Sequence, residues 1–216
     1  MQADLFAALV AFAFVSSITP GPNNLMLLAS GVNFGFRRSL PHMLGIGIGF
    51  TVMVALVGLG LAGLFTAWPV ARVVLQVVSV AYLLWLAWKI AHAAPPADAP
   101  DSRGRPLTFL QAAAFQWVNP KAWTMALGAV ALYAPGQEVV AVLWVAAVFG
   151  LVNLPCVSVW TVLGMGVRRL IAHPARLRLF NRAMALLLVA SLWPVLAPDA
   201  QGSSQPPAPA AQVEAR

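Results

Sequence analysis

Charged residues are scarce in this chain, and the acidic ones avoid its apolar runs. They make up 9% of the 216 residues, while hydrophobic residues make up 61%. Soluble domains carry charge at roughly a quarter of their positions. Asp4 and Glu138 lie at the ends of apolar runs, and no acidic residue lies deep within one. The composition excludes an ordinary soluble domain, and the placement excludes a buried carboxylate as a proton carrier.

Cysteine is almost missing as well. Cys156, inside an apolar run, is the one cysteine of the sequence, so the chain can form no internal disulfide. We expect a small buried side chain at this position. A membrane thiol–disulfide carrier needs two cysteines that exchange a disulfide, so the single cysteine disfavours this function. A second possible function, a membrane scaffold that transports nothing, stays open.

The sequence also lacks the motifs of enzymes and of cofactor-binding proteins. It contains no paired His, Asp and Glu set typical of a metal site, no Gly-x-Ser-x-Gly nucleophile motif and no Walker-type loop. We therefore expect no enzyme activity, no metal and no cofactor. The net charge of +7 comes from basic residues in short connections between apolar runs. Without an aromatic-rich soluble module around them, nucleic-acid binding is not expected.

The apolar residues fall into six runs, and a helix that crosses a bilayer needs about 20 residues. The sequence thus predicts an all-α polytopic membrane protein with six transmembrane helices and the bilayer as its surroundings. The predicted spans are 4–30, 40–65, 69–91, 107–133, 139–167 and 177–197. The predicted transmembrane domain covers 1–197 in two three-helix halves, 1–92 and 107–197. A cytoplasmic loop at 93–106 and a disordered tail at 198–216 complete the prediction.

Basic residues are distributed unevenly over the connections between these spans. The first and third connections hold two and three Lys or Arg residues, and the fifth, with the start of the sixth span, holds five. The remaining connections and the tail hold Arg72 and Arg216. Because cytoplasmic loops carry the excess of positive charge, both termini are predicted to lie outside.

Two predicted spans carry prolines that should interrupt the helix. Proline has no backbone N–H, and the residue before it avoids helical angles. Broken backbone at membrane depth survives where protein or a water-filled cavity satisfies it, and in secondary transporters it forms the substrate site. The predicted pathway residues, in the first and fourth spans, are Thr19, Pro20, Gly21, Pro22, Asn23, Asn24, Gln116, Asn119, Pro120 and Lys121.

The first break is suited to a zwitterionic amino acid. The amides of residues 23–25 and the positive end of the helix dipole suit a carboxylate, whereas the freed carbonyls of residues 15–18 suit an ammonium group. Capping of the half-helix by Asn23 and Asn24 is a compatible alternative. In the second break, Pro120 should free the carbonyl of Gln116. Lys121 would add a positive charge or titrate, unless it extends to the cytoplasmic face.

Other polar and small residues give weaker indications. His42, at the cytoplasmic end of the second span, is a candidate proton relay with Lys121, or simply an interfacial histidine. Asn153 and Pro155 predict a milder third break, which would be a packing kink or part of the pathway lining. The second span carries glycines that predict close helix packing: Gly45, Gly47, Gly49, Gly58, Gly60 and Gly63.

The two strong breaks fall in the first and fourth of the six predicted helices. Dividing the chain into two sets of three helices makes these positions equivalent, and a three-helix repeat reverses its direction when it recurs. The pattern predicts a 3+3 inverted-topology repeat in which helices 1 and 4 are proline-interrupted.

Three sequence blocks resemble the LysE/RhtB family of bacterial amino-acid exporters. They are TPGPNNLMLLASGVNFGFRRSLPHMLGIGIGF (19–50), AYLLWLAWKI (81–90) and QWVNPKAW (116–123). The resemblance implies an inner-membrane secondary transporter that exports amino acids or their derivatives by alternating access, driven by proton exchange. It also implies periplasmic termini and, as in many members, a homodimer. The runs LWLAWKIA and ALLLV resemble the branch that exports cysteine and O-acetylserine.

Overall fold

The computed structural model describes residues 3–93, 105–171 and 173–193. The predicted tail at 198–216 and most of the predicted loop at 93–106 lie outside these residues. Within the described ranges every regular element is helical, with 3₁₀ turns at Leu61–Gly63 and Gln116–Val118. The α-helices are α1 (Ala3–Ile18), α2 (Pro22–Phe34), α3 (Phe36–Gly58), α4 (Leu64–Ala67), α5 (Pro69–Ala91), α6 (Phe109–Phe115), α7 (Pro120–Tyr133), α8 (Val139–Leu170) and α9 (Pro174–Ala190).

Three helices, α3, α5 and α8, are each long and apolar enough to cross a membrane. Helices α1 and α2 meet the same test together, although they are bent by 55° at the break between them. The described residues therefore contain three candidate spans, or four if the bent pair is one span. Helices α7 and α9 have 14 and 17 residues, fewer than the roughly 20 of a complete span. An all-helical fold with helices apolar enough to cross a membrane is confirmed for the described residues, while six spans and the repeat stay predictions.

Two predicted segments differ from the helices observed. The second span was expected over 40–65, but α3 begins at Phe36 and ends at Gly58, and Gly60 adopts a φ of 108° in the turn that follows. The predicted break at Pro155 is wrong, since α8 continues through this residue as one helix of 32 residues. Pro155 removes one backbone donor, and α1, α2 and α3 pack along α8 and hold it in place.

Two buried clusters support the region where the proline breaks lie. One is formed by α1, α3, α7 and α8 and includes Phe50 and Phe149. The other is formed mainly by α2, α3, α5, α6 and α9 and includes Leu27 and Phe115. Together they fix the two helices that begin at the breaks, α2 and α7, inside the bundle.

Glycines allow the closest helix crossings. Helix α2 meets α8 where Gly31 faces the backbone of Thr161 and Gly164, and α3 meets α6 where Gly49 lies against Ala113. A Cβ atom at Gly60 or Gly63 would have no neighbour within 4 Å. The predicted packing role is therefore confirmed for four of the glycines, Gly45, Gly47, Gly49 and Gly58, and wrong for Gly60 and Gly63.

Candidate functional site

The first break separates α1 from α2 by three residues, and its carbonyl groups already have partners. The side-chain amide of Asn24 donates to the carbonyls of Ser17 and Thr19 at 2.9 and 2.7 Å. The indole N–H of Trp160 donates to the carbonyl of Ile18 at 3.1 Å. The carbonyls of Val15 and Ser16 accept from the backbone and side chain of Thr19. The expectation of free carbonyls at residues 15–18 is wrong for this conformation.

The backbone amides of the first residues of α2 are only partly available to a ligand. The first backbone hydrogen bond of the helix runs from the Leu25 N–H to the Gly21 carbonyl at 2.9 Å, so the predicted free amide of Leu25 is wrong. The amides of Asn23 and Asn24 precede this bond. Gly21 at the N-cap has no side-chain cap, so capping of α2 by its asparagines is also wrong. Asn24 instead closes the carboxyl end of α1.

The second break lies between α6 and α7. The 3₁₀ turn ends at Asn119, whose backbone is extended (φ −92°, ψ 108°), and Pro120 is the first residue of α7. The Asn119 side chain accepts the Lys121 N–H at 3.1 Å and caps α7. The Gln116 carbonyl, which Pro120 was expected to free, accepts the Asn119 N–H at 3.3 Å. Proline thus breaks the helix as predicted, and the turn reuses the freed group.

The two breaks lie against each other. The ammonium group of Lys121 donates to the Thr19 carbonyl at 2.7 Å, the Thr19 hydroxyl at 2.9 Å and the Pro20 carbonyl at 3.3 Å. An ammonium group has three N–H donors, and here each has an acceptor in the other break. Lys121 therefore does not extend to the membrane face. Gly21 leaves room for it, because a Cβ there would lie 2.5 Å from the Lys121 Cδ.

A second contact joins the breaks through side-chain amides. Asn23 donates to Gln116 at 2.8 Å, and Gln116 donates back to Asn23 at 3.2 Å. The side chain of Gln116 is fully buried and also donates to the Ala112 carbonyl at 2.9 Å. This reciprocal pair fixes α2 beside the end of α6.

Between the breaks lies a cavity of about 20 Å³, here called the break cavity. This volume has room for about one water molecule. Its polar lining includes Asn153, which lies in α8 and donates to the Ser17 hydroxyl at 3.1 Å. The full lining is Ser16, Ser17, Gly21, Asn23, Asn24, Phe50, Asn119, Lys121, Ala122, Met125, Asn153 and Val157.

Sequence reasoning missed part of this lining. Ser16 and Ser17 lie within three residues of the first break, and that position was an available indication. Phe50, Ala122, Met125 and Val157 lie in apolar runs and carry no distinguishing pattern. Pro155, two residues from Asn153, does not line the cavity.

The two candidate proton-relay residues lie apart. Lys121 lines the break cavity, whereas His42 lines a separate and larger cavity of about 310 Å³. His42 is only 2% exposed, and neither of its ring nitrogens has a hydrogen-bond partner among the described residues. The structure places no direct contact between the two side chains.

A comparison with known families adds a result independent of this geometry. The family model described as LysE type translocator matches residues 14–191, a range that contains both breaks and the break cavity. The chain belongs to this family. The resemblance found in the sequence blocks is therefore confirmed. Since members of the family are transporters, the prediction that this chain is not an enzyme is confirmed too.

Similar proteins are known from enteric bacteria. A cysteine/O-acetylserine efflux protein of Salmonella choleraesuis (strain SC-B67) is 32% identical over 191 residues, which cover 86% of this chain and 94% of that protein. The protein of the same name from Escherichia coli (strain K12) is 30% identical over 194 residues, covering 88% and 96%. No solved structure matches the chain. This LysE type translocator thus aligns with these efflux proteins over nearly their whole length.

Proposed function

We propose that this LysE type translocator exports a small zwitterionic amino acid or amino-acid derivative across the bacterial inner membrane. We further propose that the break cavity is its substrate site. The names of the similar proteins point to cysteine and O-acetylserine, amino acids with short side chains. The observation that carries the proposal is the ammonium group of Lys121 bound to the carbonyls of the opposite break.

That contact provides a chemical basis for exchange. The ammonium group of an amino acid can take the acceptors on Thr19 and Pro20 that Lys121 now occupies. The released Lys121 can then bind the carboxylate together with the backbone amides of Asn23 and Asn24. Because an unpaired charge inside the bilayer is costly, a substrate that keeps every charge paired is favoured over a simple cation or anion.

Alternating access is part of the proposal. The break cavity holds about one water molecule, so it must enlarge before it can hold an amino acid. Three non-helical residues and a 55° bend separate α1 from α2, and extended backbone at Asn119 precedes α7. These joints are where α2 and α7 can change their orientation, since few backbone hydrogen bonds cross them.

The proposed topology has six spans in two inverted halves, 1–92 and 107–197, with both termini in the periplasm. In this topology α6, the 3₁₀ turn and α7 form the fourth span, and α9 forms the core of the sixth. The contact between breaks at equivalent positions of the two halves supports the repeat. Proton coupling would use Lys121, because it is a titratable side chain of the break cavity itself. His42 lines the other cavity, and the acidic residues in the described part of the chain, Asp4 and Glu138, line neither. Homodimer formation stays a prediction from the resemblance.

The test is amino-acid efflux from a bacterial host that lacks its own exporters. With the translocator present, we expect faster release of O-acetylserine and cysteine than with an empty vector, and a loss of that gain when the proton gradient is collapsed. Pro20→Ala and Asn24→Ala should lower release at equal membrane abundance. A scaffold would tolerate both changes, and a thiol–disulfide carrier would fail with Cys156→Ser, which we expect to export normally. Equal release of every amino acid with and without the protein contradicts the proposal.

A further inference from the structure

The larger cavity, here called the vestibule, lies at the ends of α2 and α5 and at the segment before α6. Its polar lining consists of Ser30, Asn33, His42, Lys89, His92 and Arg105. With a volume of about 310 Å³, it falls in the range of about 300–1,000 Å³ that is typical of small-molecule sites. The break cavity is many times smaller.

His42 indicates that the vestibule takes a polar ligand. The residue lies in the first turns of α3 and is 2% exposed, yet neither ring nitrogen has a partner among the described residues. Buried polar side chains in proteins are nearly always hydrogen-bonded. Both ring nitrogens are themselves buried, so the ring must turn toward the cavity before a ligand there can use its one donor and one acceptor.

The charge around the vestibule is positive. Arg105 and Lys89 line it, and the Arg38 guanidinium lies 5.4 Å from the ring centroid of Phe34, another lining residue. No carboxylate is among the lining residues in the described part of the chain. Asp98 and Asp101, in the neighbouring connection, lie outside the described residues. The lining therefore favours an anionic group.

The vestibule and the break cavity follow one face of α2. Asn23 lines the break cavity, and Met26, Ser30 and Asn33 line the vestibule. Spacings of three and four residues place side chains on the same helix face. The reciprocal Asn23–Gln116 pair is therefore about one helical turn from the vestibule lining. In the proposed topology, the vestibule opens to the cytoplasm.

We propose that the vestibule is a second binding site, in which Arg105 and His42 bind the carboxylate of an amino acid arriving from the cytoplasm. Arg105 can donate two parallel hydrogen bonds to a carboxylate, and the His42 ring, once turned toward the cavity, can donate a third. The identity of the ligand rests on the proposed export function, whereas the site itself rests on the vestibule lining. The substrate is held here before the Asn23–Gln116 pair opens to the break cavity.

Protection of a single thiol tests this site. Ala93 is small, partly exposed and in the vestibule lining, so Ala93→Cys in a Cys156→Ser background places one reactive thiol there. Inside-out membrane vesicles are labelled with a maleimide while O-acetylserine is titrated. We expect O-acetylserine to slow the labelling. Its methyl ester, which lacks the carboxylate, should not. Ala175→Cys, exposed outside the vestibule lining, should label at a constant rate.

Variants of Arg105 and His42 test whether these two residues bind the carboxylate. Arg105→Ala and His42→Leu should each raise the half-protecting concentration about tenfold, as expected for the loss of a hydrogen bond to a charged group. Arg168→Ala removes an equal charge from an exposed position that does not line the vestibule, and it should leave protection unchanged. Because Arg105 is exposed, this arm does not depend on the folding of the His42 variant.

The outcomes separate this inference from the export function. Absent protection, equal protection by the methyl ester, or an equal effect of Arg168→Ala overturns the vestibule site. Efflux that persists in any of these cases still supports the proposed export function. Protection in a protein without efflux supports a carboxylate site and counts against export.

Discussion

At the scale of single residues, the site depends on how Lys121 is paired. Its ammonium group lies among three oxygen acceptors of the opposite break. A lysine in an apolar segment is costly unless it has such partners. These acceptors are carbonyl and hydroxyl dipoles rather than a carboxylate, so the positive charge itself is not neutralised. This is the physical reason to expect that an anionic group of the substrate can draw Lys121 away.

Removal of this charge should disable export. Lys121→Met keeps a similar length and loses the ammonium group, and we expect O-acetylserine efflux to fall about tenfold or more. Lys121→Arg is the matched control, and it should retain an intermediate rate because its planar guanidinium cannot place three donors in the same positions. Efflux rates are compared at equal membrane abundance. Export by Lys121→Met at the unaltered rate would contradict the assigned role.

Single residues also show which parts of the candidate site can be predicted from the sequence and which cannot. A missing N–H is a local property, and Pro20, Pro22 and Pro120 located both breaks. At Pro155 the same local property predicted a break that α8 does not have. Which donor binds a carbonyl that proline has freed depends on the tertiary fold. The donor to Ile18 is Trp160, from a helix far along the chain, and no local pattern connects the two residues.

At the scale of helices, small residues decide which elements can approach. The glycines of the second predicted span predicted close packing, and the four that lie within α3 contact neighbouring helices closely. The crossing of α2 and α8 was not predicted, because Gly31 and Gly164 lie in two separate runs and their pairing depends on the fold. This crossing matters for the site, since α2 carries Asn23 and Asn24 at its start and α8 carries Asn153.

Closing the space at this crossing should destabilise the bundle. A Cβ at Gly31 would collide with the Thr161 carbonyl oxygen, and one at Gly164 with the Leu28 carbonyl oxygen. Backbone atoms cannot rotate away, so we expect Gly31→Ala and Gly164→Ala each to cost about 1–3 kcal/mol. The measurement is the thermal midpoint of the detergent-solubilised protein.

Gly166→Ala provides the control for that series. It lies in the same helix as Gly164, and a Cβ there would have no neighbour within 4 Å. Alanine is favoured over glycine in a helix by about 1 kcal/mol, so the midpoint should stay or rise. A fall equal to that of Gly164→Ala would contradict the packing argument.

At the scale of the whole molecule, two cavities along one face of α2 and an uneven charge distribution support the directional path that we propose for export. Ten of the 13 basic residues lie in three predicted connections or at the ends of the spans beside them, and the vestibule adjoins two of these connections. Charge placement is written directly in the sequence, so it predicts an orientation without knowledge of the fold, and this orientation stays a prediction. The number of spans is harder to predict, because the polar first turns of α9 and the break before α7 shorten the apolar helices.

The inverted repeat requires an even number of spans, and reporter fusions test this directly. Alkaline phosphatase is active only outside the cytoplasm, and green fluorescent protein fluoresces when it folds inside. We expect fluorescence for fusions after Ala93 and phosphatase activity for fusions after Gly136 and Trp193, because positively charged connections stay in the cytoplasm. Fluorescence for the fusions after both Ala93 and Trp193 would mean an even number of spans between them, so the second half could not have three. The two breaks could then not be related by inversion, although their contact through Lys121 would still stand.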